Sequence, residues 1–166
     1  MLTSQPIKDF ISAARAYCMF IETDLGHDPR QFLRTVQKDL LTLYRAGLDL
    51  PDITPATTIN LEANDHKIHM DRVRRMITDH LPLNRYWNTL NMLQVNEPTQ
   101  VSTGDLIDDL AAIYLDLKRG LLLFEAHDNS TKEEAIWEFR FGYEKHWGNR
   151  CMDALHVIHR YLSANQ

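Results

Sequence analysis

Apolar residues recur at three- and four-residue spacing along most of this chain. That period admits little besides α-helices packed through one face. Ile7, Phe10, Ile11, Ala14, Tyr17, Cys18, Ile21 and Leu25 trace one stripe, and Phe32, Leu33, Val36, Leu40, Leu43 and Tyr44 trace a second. Composition points the same way. Six Gly and six Pro in 166 residues leave few turn formers, and unbranched Leu, Ala and Met outnumber Val and Ile, which disfavours a sandwich or barrel. The length suits one domain, residues 1–166, with a core large enough to need no staples. The expected fold is all-α: a compact bundle of about five helices with a long extended connection between the second and third.

The first helix is expected over about 6–24, with Gly26 as its stop. Asp28-Pro29-Arg30-Gln31 reads as an N-cap, a proline at the first helical position and a reciprocal Gln. The second helix then runs to Gly47, folding back on the first as a hairpin. Residues 48–64 carry Pro51, Pro55 and no helical period. A weakly amphipathic third helix spans about 66–80. Residues 83–101 hold Tyr86, Trp87, Leu90, Met92, Leu93 and Val95 without a clean period, and read as an irregular or extended segment over the core. A fourth helix, capped by Ser102 or Thr103, is placed at about 105–126. Its run Leu121-Leu122-Leu123-Phe124 is apolar all round, which predicts burial on all sides. Ser130-Thr131-Lys132-Glu133 reads as a capping box for a fifth helix reaching about Leu162, with Gly142 and Gly148 as points of bending.

The charge excludes some roles. With 18 basic and 23 acidic residues the net charge is −5, unsuited to coating nucleic acid or a polybasic membrane anchor. No apolar run approaches the ~20 residues that span a bilayer. The opening residues lack the pattern of a secretory signal. Cys18 and Cys151, the two cysteines, both fall on apolar helix faces and read as buried thiols in a reducing cytosol. The expected location is cytoplasmic.

Within the fifth helix, Ile136, Tyr143, Trp147, Cys151, Ala154, Ile158 and Tyr161 form a broad apolar face. Arg140 projects from its middle. A guanidinium there needs a carboxylate, because an unpaired buried charge costs several kcal/mol. Glu144 lies one turn later, and Asp109 and Asp116 on the fourth helix are cross-helix candidates. Two roles fit: an ion pair that fixes helix register, or a cleft lined by Asp109, Asp116, Arg140, Glu144 and Trp147. His146, beside Trp147, is suited to binding or proton transfer near neutral pH.

Asp105, Asp108, Asp109, Asp116 and Arg119 share a wedge of the fourth helix that reads as a solvated face. The spacings His66/His69, His156/His159 and Asp153/His156 could place metal ligands on one side of a helix. Neither a Glu-x-x-His repeat nor a His-Glu-x-x-His motif accompanies them, so no metal and no cofactor is expected. The basic stretch Arg72, Arg74, Arg75 and Arg85, followed by Tyr86 and Trp87, has the ingredients of a phosphate and base contact. Its excess of two positive charges over residues 66–100 suits a local partner better than nucleic acid.

Three segments also carry a resemblance. Asp108 to Gly120 (DDLAAIYLDLKRG), Trp137-Glu138-Phe139-Arg140 and His146-Trp147-Gly148 are similar to the C-terminal signature of a bacterial family, domain of unknown function 5063. The likeness is most specific over about 104–160. It implies a helical cytoplasmic bacterial protein and brings no reaction, cofactor or binding residue with it. No nucleophile elbow, phosphate-binding glycine loop or Cys/His catalytic spacing is present. The expected role is a non-enzymatic binding or interaction module taking another protein or a small ligand. The alternatives are an enzyme, metal-assisted or not, built on the helix carboxylates and His146, and nucleic-acid binding through 66–87.

Overall fold

A computed structural model describes residues 2–23, 28–55, 66–90, 93–125 and 128–165, with residues 66–69 described as backbone. Among the described residues, six helices and one hairpin follow in the order α1 (Gln5–Glu22), α2 (Pro29–Leu48), α3 (His66–Thr78), β1 (Arg85–Thr89), β2 (Val101–Asp105), α4 (Leu106–Glu125), α5 (Asn129–Lys145) and α6 (Trp147–Ala164). No helix among the described residues is long and apolar enough to cross a membrane. Mostly helical is the right class, with one helix more than expected and a small antiparallel sheet besides.

The stripes become the core. Ile7, Phe10, Ala14, Tyr17, Leu33, Val36, Leu40, Leu43, Leu110, Ile113, Leu117, Ile136, Cys151, Ala154 and Ile158 are all buried in one cluster. α4 lies among the other helices, touching α1, α3, α5 and α6, while α2 packs on α1 and α6. Asp28 caps α2 through the amides of Arg30 and Gln31, ahead of Pro29. The proposed stop at Gly26 lies outside the described residues, as do residues 56–65 of the connection after α2. The described part, 49–55, is not helical and buries Leu50 and Ile53.

Four local readings need correction. The long fifth helix is two helices, broken at His146, whose φ of −131° and ψ of −91° leave the helical region. Two glycines make the break possible. A Cβ on Gly148 would stand 2.0 Å from the Tyr143 carbonyl oxygen, and one on Gly142 would stand 2.6 Å from the Trp147 ring. Residues 83–101 contain strand β1, which pairs with β2 in register from Arg85↔Asp105 to Thr89↔Val101. The caps are aspartates: Asp105 accepts from the Ile107 and Asp108 amides at the start of α4, and Asp128 from the Thr131 amide in α5. Leu122 is exposed although Leu121 and Leu123 are buried, because α4 has neighbours on several sides but not on that one.

Candidate functional site

The polar wedge of α4, read as a solvated face, is also where other elements attach, and Asp109 within it is buried. Asp108 pairs with Arg74 of α3 at 2.9 Å, and Arg119 with Glu138 of α5 at 2.9 Å. Asp109 is only 6% exposed. Its Oδ1 accepts from Arg150 of α6 at 2.8 Å and its Oδ2 from the Tyr86 hydroxyl of β1 at 2.5 Å. Burial raises the Asp109 carboxyl pKa; the Tyr86 and Arg150 hydrogen bonds oppose that rise without cancelling it. Burial and the Asp109 charge together push the Tyr86 phenol well up.

Asp116 lies two turns further along α4. Its rim is exposed, yet the packing around it removes enough water to raise its carboxyl pKa, against the pull of the nearby His146, Arg150 and Arg119 charges. No described residue donates a hydrogen bond to it. The candidate residues therefore divide. Asp109, Asp116 and His146 share a surface with Arg150. His146 also meets the Phe141 ring at 5.5 Å, and Phe141 stacks on Trp137 at 5.2 Å.

Arg140 and Glu144 stand elsewhere. The Arg140 Nε donates to Glu144 Oε1 at 2.9 Å, and its Nη1 to the carbonyls of Leu48 and Leu50 at 3.4 and 3.3 Å. Its guanidinium also lies 5.8 Å from the centre of the Tyr143 ring. It thus closes the C-terminal end of α2, where carbonyls lack helical partners. Neither Asp109 nor Asp116 reaches it. Trp147 is 1% exposed and fills the core between Gly47 and Gly142, with its Nε1 donating to the Phe139 carbonyl at 3.1 Å.

Sequence reading passed over Asn88 and Arg150, and gave Tyr86 and Asp153 other roles, Tyr86 with the basic stretch and Asp153 with His156. Along β1 the alternation of the pleat turns Tyr86 and Asn88 inward. Tyr86 lies flat over Gly104, where a Cβ would stand 2.2 Å from its ring, and Asn88 donates to Asp153 of α6 at 2.9 Å. The opposite face of the hairpin and its connecting residues leave apolar side chains in solvent: Trp87 is 77% exposed, Leu93 90% and Val95 87%, with Leu90 and Val101 also exposed. A Tyr-x-Asn pair in a short aromatic segment was the signal available.

Other possibilities have less built into them. Among the described residues no group of three or more His, Cys, Asp or Glu side chains converges as for a metal; the His66/His69 side chains lie outside that description. A groove of about 470 Å³ beside α1, lined by residues such as Ile11, Ser12, Arg15, Met19 and Phe124, is open and shallow. In the basic stretch, Arg74 is engaged by Asp108 and Tyr86 faces inward, while Arg72, Arg75 and Arg85 are exposed.

The family model described as "Domain of unknown function (DUF5063)" matches residues 2–164. The crystal structure of protein BF1032 from Bacteroides fragilis superimposes with a TM-score of 0.81, covering 97% of each chain at 19% identity. At that identity the likeness establishes the fold alone. No curated protein matches the chain.

Proposed function

The chain belongs to the DUF5063 family, and we propose that it works as a cytoplasmic, non-enzymatic protein-interaction module through the outer face of the β1–β2 hairpin. One observation carries this reading: the hairpin is the wrong way round for a purely structural element. A hairpin that serves only to cover a core turns its apolar side chains inward. Here the inward side chains are anchored by polar groups, Tyr86 through its hydroxyl on Asp109 and Asn88 on Asp153, with only the Tyr86 ring packed on the core, while Trp87, Leu90, Leu93, Val95 and Val101 face solvent. Exposed apolar side chains gathered in one short segment mark interaction sites, and tryptophan is among the residue types most enriched at their centres.

Chemistry fits the same surface less well. Asp109, the best-placed carboxylate, already holds Tyr86 and Arg150, so it is occupied as a bracket and not free as a base. The Asp116, His146 and Phe141 surface remains as a neighbouring contact for the same partner. Arg140, Glu144 and Trp147 support the module from inside.

Photo-crosslinking tests the reading. A photoreactive residue at position 87, in bacterial cells that make the protein, should give one discrete adduct, and the same residue at exposed Lys38 none. The protein recovered in that adduct should rebind the purified chain and fail to bind a Trp87→Ser chain. Adducts equally abundant from both positions, or a recovered protein indifferent to Trp87→Ser, would overturn the reading.

A further inference from the structure

The hairpin leaves main-chain groups unused. The Leu90 amide donates to the Gln100 carbonyl at 2.9 Å, and the Leu106 amide to the Asn84 carbonyl at 2.7 Å. In an antiparallel pair alternate residues point their main chain at the partner strand. With the register continuous between those two bonds, Asn84, Tyr86, Asn88 and Leu90 face β2. Arg85, Trp87 and Thr89 turn their N–H and C=O groups outward. The Thr89 amide is closed by its neighbour Asn88, whose Oδ1 accepts it at 2.8 Å. The Arg85 and Trp87 main chains have no partner among the described residues.

Edges of this kind are usually blunted by lysine, proline, a bulge or a covering loop, because they template a further strand. Among the described residues β1 has none of these: its five pairs run without a bulge, and no third strand joins the sheet. Its centre is aromatic and β-favouring, with Trp87 in solvent.

We propose that the β1 edge receives an extended segment of a partner protein as a third strand, held by the main chain of Arg85 and Trp87. This rests on the hairpin being the interaction surface. Side chains that stand opposite each other across a ladder interact, and alternate residues share a face. Arg85 and Trp87 share the outer face, so the incoming strand carries an acidic and an apolar side chain two residues apart. Charge selects the acid: Arg85 is the sole charged residue from 81 to 96, and no described carboxylate pairs with it. Asp105, opposite Arg85 in the register, spends its Oδ1 on the α4 amides. A second copy fits less well. Antiparallel self-pairing about Trp87 would set Arg85 against Thr89 of the other copy, whose amide is already taken.

The experiment selects displayed random peptides against the full chain and follows amide hydrogen exchange with the tightest one bound. Enriched peptides should share an apolar-x-acid or acid-x-apolar spacing. Exchange at the Arg85 and Trp87 amides should slow by about tenfold or more, while N-methylating the peptide at the pairing residue, or replacing Trp87 by Ser, should weaken binding by about tenfold or more. Trp87 is exposed, so Trp87→Ser should keep the wild-type melting curve. Peptides that depend on Trp87 but leave both amides exchanging freely would overturn strand addition while leaving the interaction surface standing. Enrichment indifferent to Trp87, or none, would overturn it as well. Protection of the same amides that rises with the concentration of the chain alone would assign the edge to a second copy and overturn the choice of partner.

Discussion

Tyr86 donates its hydroxyl to Asp109 across 2.5 Å, joining the first strand of the hairpin to a carboxylate set in the first turn of α4. The same carboxylate holds Arg150 of α6. One aspartate thus fixes the hairpin and the α4–α6 contact together. Tyr86→Phe removes the donor and leaves a buried charged oxygen short of a partner, so it is expected to cost about 1–3 kcal/mol in urea unfolding. Exchange at the Asn88 and Gly104 amides, which face the partner strand, should quicken while that of α2 does not. A loss below about 0.5 kcal/mol would mean that water replaces the hydroxyl and the hairpin is held elsewhere.

The sign of the Asp109 shift predicts a pH dependence. Burial outweighs its two hydrogen bonds and raises the folded-state pKa above the ordinary carboxylate value. A raised carboxyl contributes stability that is fully present below the unfolded pKa and is lost as pH rises through the folded one. Asp109→Asn abolishes that contribution, so its deficit relative to the native chain should be larger near pH 4 than at pH 7. Chemical denaturation across that range measures it. A deficit that grows towards neutral pH instead would show the Arg150 pair winning over desolvation.

The helical class was legible because its signals are local. A stripe such as Ile7–Phe10–Ala14–Tyr17 needs no knowledge of its neighbours to be read as a buried face, and Asp28-Pro29 marks a helix start by its own chemistry. The hairpin was not legible, because Tyr86 is its one inward residue packed on the core and the larger Trp87 faces out, which blurs the alternation that identifies a half-buried strand. The α5–α6 break was hidden for another reason. Gly142 and Gly148 permit a turn, but the turn is decided by Trp147 entering the space beside Gly142 and by Gly47 of a different helix making room for it. Arg140 stood out correctly as a charge that must be answered. Its answer proved to include two carbonyls at the end of α2, and no side-chain spacing encodes a main-chain partner 90 or more residues away.

Both cysteines should be silent in the native state. Cys18 and Cys151 are free and buried, and burial pushes each thiol up to about 12. Only the thiolate reacts, and at pH 8 such a thiol is ionised to roughly one part in ten thousand. A disulfide-exchange reagent should label neither thiol over minutes in buffer and both in denaturant. Rapid labelling of one thiol in buffer would reveal local opening at that helix.

Arg140→Ala separates support from binding. The guanidinium closes the α2 end and pairs with Glu144, so its loss should cost about 1.5–3 kcal/mol, the range for hydrogen bonds to a charged group. Partner binding through the hairpin should be unchanged once the variant is folded. Retained stability combined with lost binding would instead make Arg140 a ligand anchor.

Trp147→Ala should cost about 3–5 kcal/mol, the range for truncating a fully buried large aromatic. The indole lies between Gly47 of α2 and Gly142 of α5, contacts the Phe10 and Tyr143 rings at 5.7 and 5.3 Å, and closes the start of α6. Nothing else nearby is free to fill that space, since the two glycines face it with no side chains of their own. Gly142→Ala approaches the same contact from the other side: its new Cβ would stand 2.6 Å from the ring edge, so the α5–α6 junction must open. Overpacking of this kind costs about 1–3 kcal/mol. Because both changes act on one contact, the double variant should lose less than the sum of the two, the methyl group entering part of the vacated space. A double-mutant cycle by urea unfolding measures the difference; strict additivity would mean that Gly142 is required for the backbone of the break and not for the indole.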